Sequence, residues 1–127
     1  MPKKYLHKRA NSFVYAFKGI VTLFRTQPNA QIHLLATAAV LVCGFYFGLE
    51  RWEWVAVTIS ISLVWLTEAL NTAAEFIVDL VSPEYHPLAG KAKDVAAGAV
   101  LIASIFAVIV GGNIFLPKLL ALAEAHF

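Results

Sequence analysis

Apolar residues gather into three long runs along this 127-residue chain, separated by short polar interruptions. The runs cover residues 31–49, 54–81 and 95–116, each close to the ~20 residues that a helix needs to cross a bilayer. Pro28 stands before the first run and suits a helix start, and Pro117 is expected to stop the third. Only Glu50-Arg51-Trp52-Glu53 parts the first run from the second, which predicts a tight helical hairpin. Tyr46, Trp52 and Trp54 beside that turn fit an interfacial aromatic belt. Upstream, residues 5–27 repeat apolar side chains at helical spacing, with Phe13, Phe17, Ile20, Val21 and Phe24 on one face and Lys18 and Arg25 largely off it. This pattern predicts an amphipathic helix lying in the membrane interface, and suits equally a short helix packed on the spans.

Composition narrows the class. Hydrophobic residues make up 60% of the chain and charged residues 14%, with a mean hydropathy of +0.72. A water-soluble domain of this size needs more polar surface, and disorder needs less apolar content. Residues 1–127 therefore read as a single all-α integral-membrane unit. A net charge of +2 leaves no footprint for nucleic acid. Cys43 stands alone, which excludes an internal disulfide and a cysteine-rich zinc site. Basic residues scattered over residues 1–25, with no compact apolar core before a small-residue cleavage site, do not make a cleaved signal. Lys3, Lys4, Lys8, Arg9, Lys18 and Arg25 precede the first run, and Lys91 and Lys93 precede the third, against Arg51 and Lys118 on the opposite side. That asymmetry predicts a cytoplasmic N-terminus and a cytoplasmic loop over 82–94.

The second run carries an anomaly. Glu68, Asn71, Glu75 and Asp79 lie in its second half, at roughly 0°, −60°, −20° and +20° around a helix. They form one stripe about 16 Å long. Buried acids are costly in a membrane and usually functional. Ion pairs holding a bundle together would be the plainer reading, but no Lys or Arg lies inside any run. Oxygen donors in a row, open at one end, suit a hard cation such as Mg²⁺, which keeps waters and binds through few carboxylates plus phosphates. Glu68 is the deepest and fits a general base. The segment His86-Pro87-Leu88-Ala89-Gly90-Lys91-Ala92-Lys93-Asp94 reads either as a basic phosphate cradle beside a helix N-terminus or as topology-marking lysines. It is no Walker A loop, and Asp94 fits an N-cap of the third span. His33 is expected to be a packing or hydrogen-bonding residue near the interface, and His86 an ordinary loop residue. A cation-coupled transporter is the rival from another class, because buried acids also make proton relays.

The run Glu68-Ala69-Leu70-Asn71-Thr72-Ala73-Ala74-Glu75, then Asp79, Glu84-Tyr85-His86 and Gly90-Lys91-Ala92-Lys93-Asp94, resembles the signature of the small bacterial integral-membrane diacylglycerol kinases. That family includes the undecaprenol kinases, and the likeness extends from Phe13 to about Gly111. The resemblance implies a homotrimer of three-span subunits, each with an N-terminal surface helix, in the bacterial inner membrane. It implies transfer of the γ-phosphate of ATP, with Mg²⁺, to the primary hydroxyl of a membrane lipid. Diacylglycerol is the favoured acceptor and undecaprenol the alternative, to which the Ile32-His33 pair is similar. By matching position, Glu68 would be the base, and Asn71 would orient the base or the phosphates. Glu75 would hold metal and nucleotide phosphates. Tyr15, Asp79, Glu84, Tyr85, His86, Lys93 and Asp94 would lie on the ATP side.

Gln27 departs from the pattern, standing where many members carry a second metal-binding glutamate. An amide oxygen can ligate Mg²⁺ but brings no negative charge, so a weaker or single-metal site is expected. Gln27→Glu is then expected to lower the Mg²⁺ concentration needed for half-maximal activity. An unchanged Mg²⁺ titration would count against a metal role for position 27.

Overall fold

Pro28 decides where the first helix stops. A residue before proline is pushed out of the helical region, and Gln27 accordingly has φ −112° and ψ 110°. The computed structural model describes residues 2–126, with side chains from Tyr5 onward. The side chains of Lys3 and Lys4, counted above among the basic residues, lie outside the described set. Four helices follow in order: α1 (Pro2–Thr26), α2 (Pro28–Phe47), α3 (Arg51–Val81) and α4 (Pro87–Glu124). The last three are long and apolar enough to cross a membrane, as the hydropathy pattern predicted.

The boundaries differ from expectation at both ends of the bundle, for identifiable reasons. Gly48 ends α2 in the left-handed region at φ 63°, its N–H donating to the Gly44 carbonyl. Glu50 then opens α3 through a reciprocal capping box: its own N–H donates to Glu53 Oε2 at 2.8 Å, and its carboxylate accepts from the Glu53 N–H. The turn is therefore Gly48-Leu49-Glu50, and Arg51, Trp52 and Glu53 belong to α3. Pro117 does not stop α4, which continues to Glu124. A proline withholds a single backbone N–H, a loss that spanning helices tolerate. Lys118, the next residue, is tied to buried Glu53 at 3.1 Å.

At the opposite end α4 begins at Pro87, well before the apolar run. His86 caps it, Nδ1 accepting the Leu88 N–H at 3.1 Å, and Pro87 occupies the first helical position. Lys91, Lys93 and Asp94, expected in a loop, ride instead on the opening turns of α4. Asp94 is not the cap.

Packing is uneven. α3 and α4 form the most extensive pairing, and the small apolar core of Leu49, Val57 and Ile114 lies toward the Gly48 turn with Trp54, Ile61 and Phe115 around it. α1 touches the bundle through its last turns, where Leu23 is buried and Phe24 meets the Trp65 ring at 5.2 Å. The rest of its apolar face, Phe13, Phe17 and Ile20, is exposed in the single chain.

Gly44 is the tightest backbone approach. A Cβ there would sit 2.7 Å from Trp54 Cη2 and 3.2 Å from Leu49 Cδ1, and Trp54 itself meets the Phe45 ring at 4.9 Å, the two tilted by 50°. Gly44→Ala is expected to destabilise the hairpin by about 1–3 kcal/mol through overpacking. Gly48→Ala has open space but the wrong backbone sign, and should cost about 1 kcal/mol. Thermal unfolding in detergent measures both, and an unshifted Gly44→Ala midpoint would contradict the packing described.

Candidate active site

The stripe predicted on α3 exists, and its members differ steeply in exposure. Glu68 is fully buried and Asn71 is 6% exposed, Glu75 is half-buried, and the Asp79 side chain is 63% exposed. Thr72 donates its hydroxyl to the Glu68 carbonyl at 2.9 Å, which holds that turn of helix. Asn71 Nδ2 donates to Glu75 Oε1 at 3.3 Å. Asp79 pairs with Lys93 Nζ from α4 at 2.5 Å. The cation that the apolar runs lacked comes from the polar start of the neighbouring helix.

Glu68 borders a cavity of about 250 Å³ walled by Asn29, Ile32 and His33 of α2, Asn71 of α3, and Ala97, Val100, Leu101 and Ser104 of α4. His33 Nε2 lies 3.4 Å from Glu68 Oε2. Among the described residues neither Glu68 oxygen, nor His33 Nε2, nor Asn71 Oδ1 has a hydrogen-bond partner. The cavity meets a second, apolar groove of about 550 Å³, with His33 and Ser104 lining both. This groove follows Ala36 and Val40 on α2, Val64 on α3, and Gly111, Gly112 and Phe115 on α4 toward the Gly48 turn.

A third hollow, about 190 Å³, lies at the start of α4 and brings together Asp79, Glu84, Tyr85, His86, Gly90 and Lys93. Five of the residues expected on the ATP side thus share one site, shaped by Ser82 Oγ donating to the Glu84 carbonyl at 2.9 Å. Asp94 is exposed outside its lining. Tyr15 is exposed on α1, with Lys18 Nζ 5.6 Å from its ring centre. Gln27 sits half-buried at the α1–α2 junction; its side chain forms no hydrogen bond among the described residues.

No group of three acidic, His or Cys side chains forms a metal cage among the described residues. The donor set does fit a sparsely ligated Mg²⁺. Asn71 offers a buried, unpartnered amide oxygen on the same side chain whose Nδ2 contacts the Glu75 carboxylate, and Mg²⁺ takes much of its shell from water and phosphate.

His33 is the residue that sequence reasoning undervalued. Its signal was the hairpin: His33 lies 15 residues before Gly48 and Glu68 lies 18 after Glu50. At 1.5 Å per residue the two differ in depth by about 4.5 Å, within one turn.

Fold and site together define a helical membrane protein whose buried acid borders a cavity continuous with an apolar groove, and whose α3 carries that acid's neighbours on to an open polar hollow at Asp79. A family model for prokaryotic diacylglycerol kinase matches residues 14–115. The chain belongs to that family of membrane lipid kinases. It is 46% identical over 114 residues to the undecaprenol kinase of Bacillus subtilis, covering 90% of this chain and 93% of that one. It is 47% identical over 112 residues to the diacylglycerol kinase of Synechocystis sp., covering 87% of this chain and 64% of that one. The diacylglycerol kinase of Escherichia coli K12 is 35% identical over 95 residues, 75% of this chain and 78% of that one. Family membership sets the transporter reading aside.

Among the described residues, Lys93 is the lysine that lines the hollow at the start of α4. Losing a charge-assisted hydrogen bond costs about 1.5–3 kcal/mol. Lys93→Met is therefore expected to raise the KM for ATP by about ten- to a hundredfold while leaving the KM for lipid unchanged. ATP titration at fixed lipid in mixed micelles checks this, and an unaltered ATP KM would remove Lys93 from the nucleotide side.

Proposed function

We propose that this protein transfers the γ-phosphate of ATP to the primary hydroxyl of diacylglycerol, giving phosphatidic acid. The observation that carries the reading is the position of Glu68, fully buried where the apolar groove and the polar stripe meet. A lipid whose tails lie along that groove brings its headgroup hydroxyl to the carboxylate without leaving the membrane. Glu68 takes the hydroxyl proton as the oxygen bonds to the γ-phosphorus and the bond to the bridging oxygen of ADP breaks. Phosphoryl transfer needs positioning and charge neutralisation more than covalent assistance, and the remaining residues fit those tasks. Lys93 neutralises phosphate charge. Asp79, Glu84, Tyr85 and His86 line the hollow that takes the nucleotide, and Tyr15 and Asp94 serve the nucleotide from outside it. Asn71 and Glu75 would hold Mg²⁺, with Gln27 the nearest counterpart of a second ligand. When bound, the ion neutralises the charge of the transferring phosphate.

The exposed apolar face of α1 supports a helix lying in the interface beside the lipid's path. The thin core of one chain and its exposed apolar faces support a homotrimer. The excess of Lys and Arg at the α1 and 82–94 end supports a cytoplasmic N-terminus in the bacterial inner membrane. ATP then approaches from the cytoplasm.

Undecaprenol is the second reading of the acceptor. The full-length match to the Bacillus subtilis undecaprenol kinase favours it, whereas the diacylglycerol kinase of similar identity is matched over 64% of its length.

Purified protein in bilayers, given ATP labelled on the γ-phosphate and each lipid separately, is expected to label phosphatidic acid. Label confined to undecaprenyl phosphate would move the acceptor to the second reading. Label in neither product would overturn both. Glu68→Gln is expected to lower turnover by about 10²- to 10⁴-fold, and near-wild-type turnover would remove Glu68 from the base role.

A further inference from the structure

A base must be ionised and aimed, and the surroundings of Glu68 supply few means for either. An ionised carboxylate taken out of water is costly unless it is paired or hydrogen-bonded. The side chains around it come from three helices. On α3, Thr72 gives its hydroxyl to the Glu68 main-chain carbonyl and Asn71 gives an amide N–H to Glu75. On α4, Ser104 is the polar residue in the cavity wall, among Ala97, Val100 and Leu101. On α2 stand Asn29 and His33, and among the described residues no Lys or Arg lines the cavity. Of all these, His33 lies within 4 Å of a carboxylate oxygen, at 3.4 Å.

The imidazole also has an aromatic wall, and its main chain is tied to the same Trp. Trp65 presents its ring to His33 at a 72° angle, centroids 6.2 Å apart. Trp65 Nε1 donates to Thr37 Oγ1 at 3.1 Å, and the Thr37 hydroxyl donates back to the His33 carbonyl at 2.7 Å. These contacts close a circuit from α2 to α3 and back. They set the His33 main chain and one face of its ring, and leave Nε2 turned toward Glu68.

We infer that His33 is a positioning residue for Glu68: its Nε2–H donates to Glu68 Oε2 and leaves Oε1 directed at the lipid hydroxyl. The inference rests on the reading of Glu68 as the base. Charge-assisted hydrogen bonds of this kind run at about 2.7–2.9 Å, and catalytic contacts that start longer, as this one does at 3.4 Å, tighten in the reacting complex. No proton leaves the imidazole in this role. The tautomer with hydrogen on Nε2 fixes one carboxylate oxygen and thereby the direction of the other.

A glutamine at position 33 separates donation from proton relay, because its Nε2 extends to a similar place and donates but cannot take up a proton. The test uses the full-length protein in mixed micelles, with ATP and whichever of diacylglycerol or undecaprenol the wild type phosphorylates. His33→Leu is expected to lower kcat by about ten- to a hundredfold, the usual cost of losing a partner that orients a reactive group, with both KM values within about twofold. His33→Gln should recover kcat to within about fivefold of wild type. Combined with Glu68→Gln, His33→Leu should cause no further loss of turnover, since the group it orients is gone.

Wild-type kcat in His33→Leu, or a change confined to KM, would overturn the inference. So would a His33→Gln variant as slow as His33→Leu, or an undiminished loss in the Glu68→Gln background. Failure of the underlying reading looks different: Glu68→Gln alone would then keep wild-type turnover, whatever His33→Leu does.

Discussion

A carboxylate shut away from water is the constraint on which this bundle depends. Among the described residues no Lys or Arg stands beside Glu68, and the charges of the structure are arranged around that fact. α3 and α4 are joined by two ion pairs, Glu53 with Lys118 and Asp79 with Lys93. These pairs are 26 residues apart on α3 and 25 on α4 (79 less 53; 118 less 93), roughly 38 Å along either helix. The hydrocarbon core of a bilayer is about 30 Å thick. Both full ion pairs can therefore sit at the membrane's two polar margins, while Glu68, 11 residues in from Asp79, lies about 16 Å along the helix from it. The matched spacing also fixes the register of α4 against α3. Sliding one helix past the other would break both pairs at once.

That register places two unlike environments along one helix. The groove beyond His33 and Ser104 is lined by Ala, Val, Gly and Phe and suits acyl or prenyl chains. The hollow at Glu84, Tyr85, His86 and Lys93 is polar and open. α3 passes from one to the other in three turns, and the exposure of its acids rises along the way from Glu68 to Asp79. A water-soluble donor and a membrane-bound acceptor can meet there without either leaving its phase. This is the physical reason a single helix carries most of the polar chemistry.

Much of this was legible in the sequence. The three apolar runs and the stripe on α3 follow from hydropathy and helical spacing, and Glu84, Tyr85, His86 and Lys93 were paired with Asp79 by their motif. The limits of the helices were harder to see, because polar composition does not stop a helix that has a cap. The Glu50–Glu53 box and the His86–Pro87 start carried α3 and α4 beyond their apolar runs, and Lys118 moved from a tail to a bridge. His33 was visible as a residue but not as a neighbour of Glu68. Only the closeness of the hairpin sets the two at one depth, and a side chain on one helix says nothing of what the next will present. Gln27 and Tyr15 stay apart from the other candidates within one chain, as expected of positions on or beside a helix that touches the bundle only through its last turns.

The turn of Gly48, Leu49 and Glu50 has a consequence for how the protein is made. Three residues cannot bridge a bilayer, so once α2 starts into the membrane its far end is already committed to α3. The two must enter together as a folded hairpin, carrying Glu50, Arg51 and Glu53 across at its tip. Of the acids on α3, Glu68 then has α2, and His33, beside it through the hairpin alone, whereas Asp79 waits for Lys93 of α4.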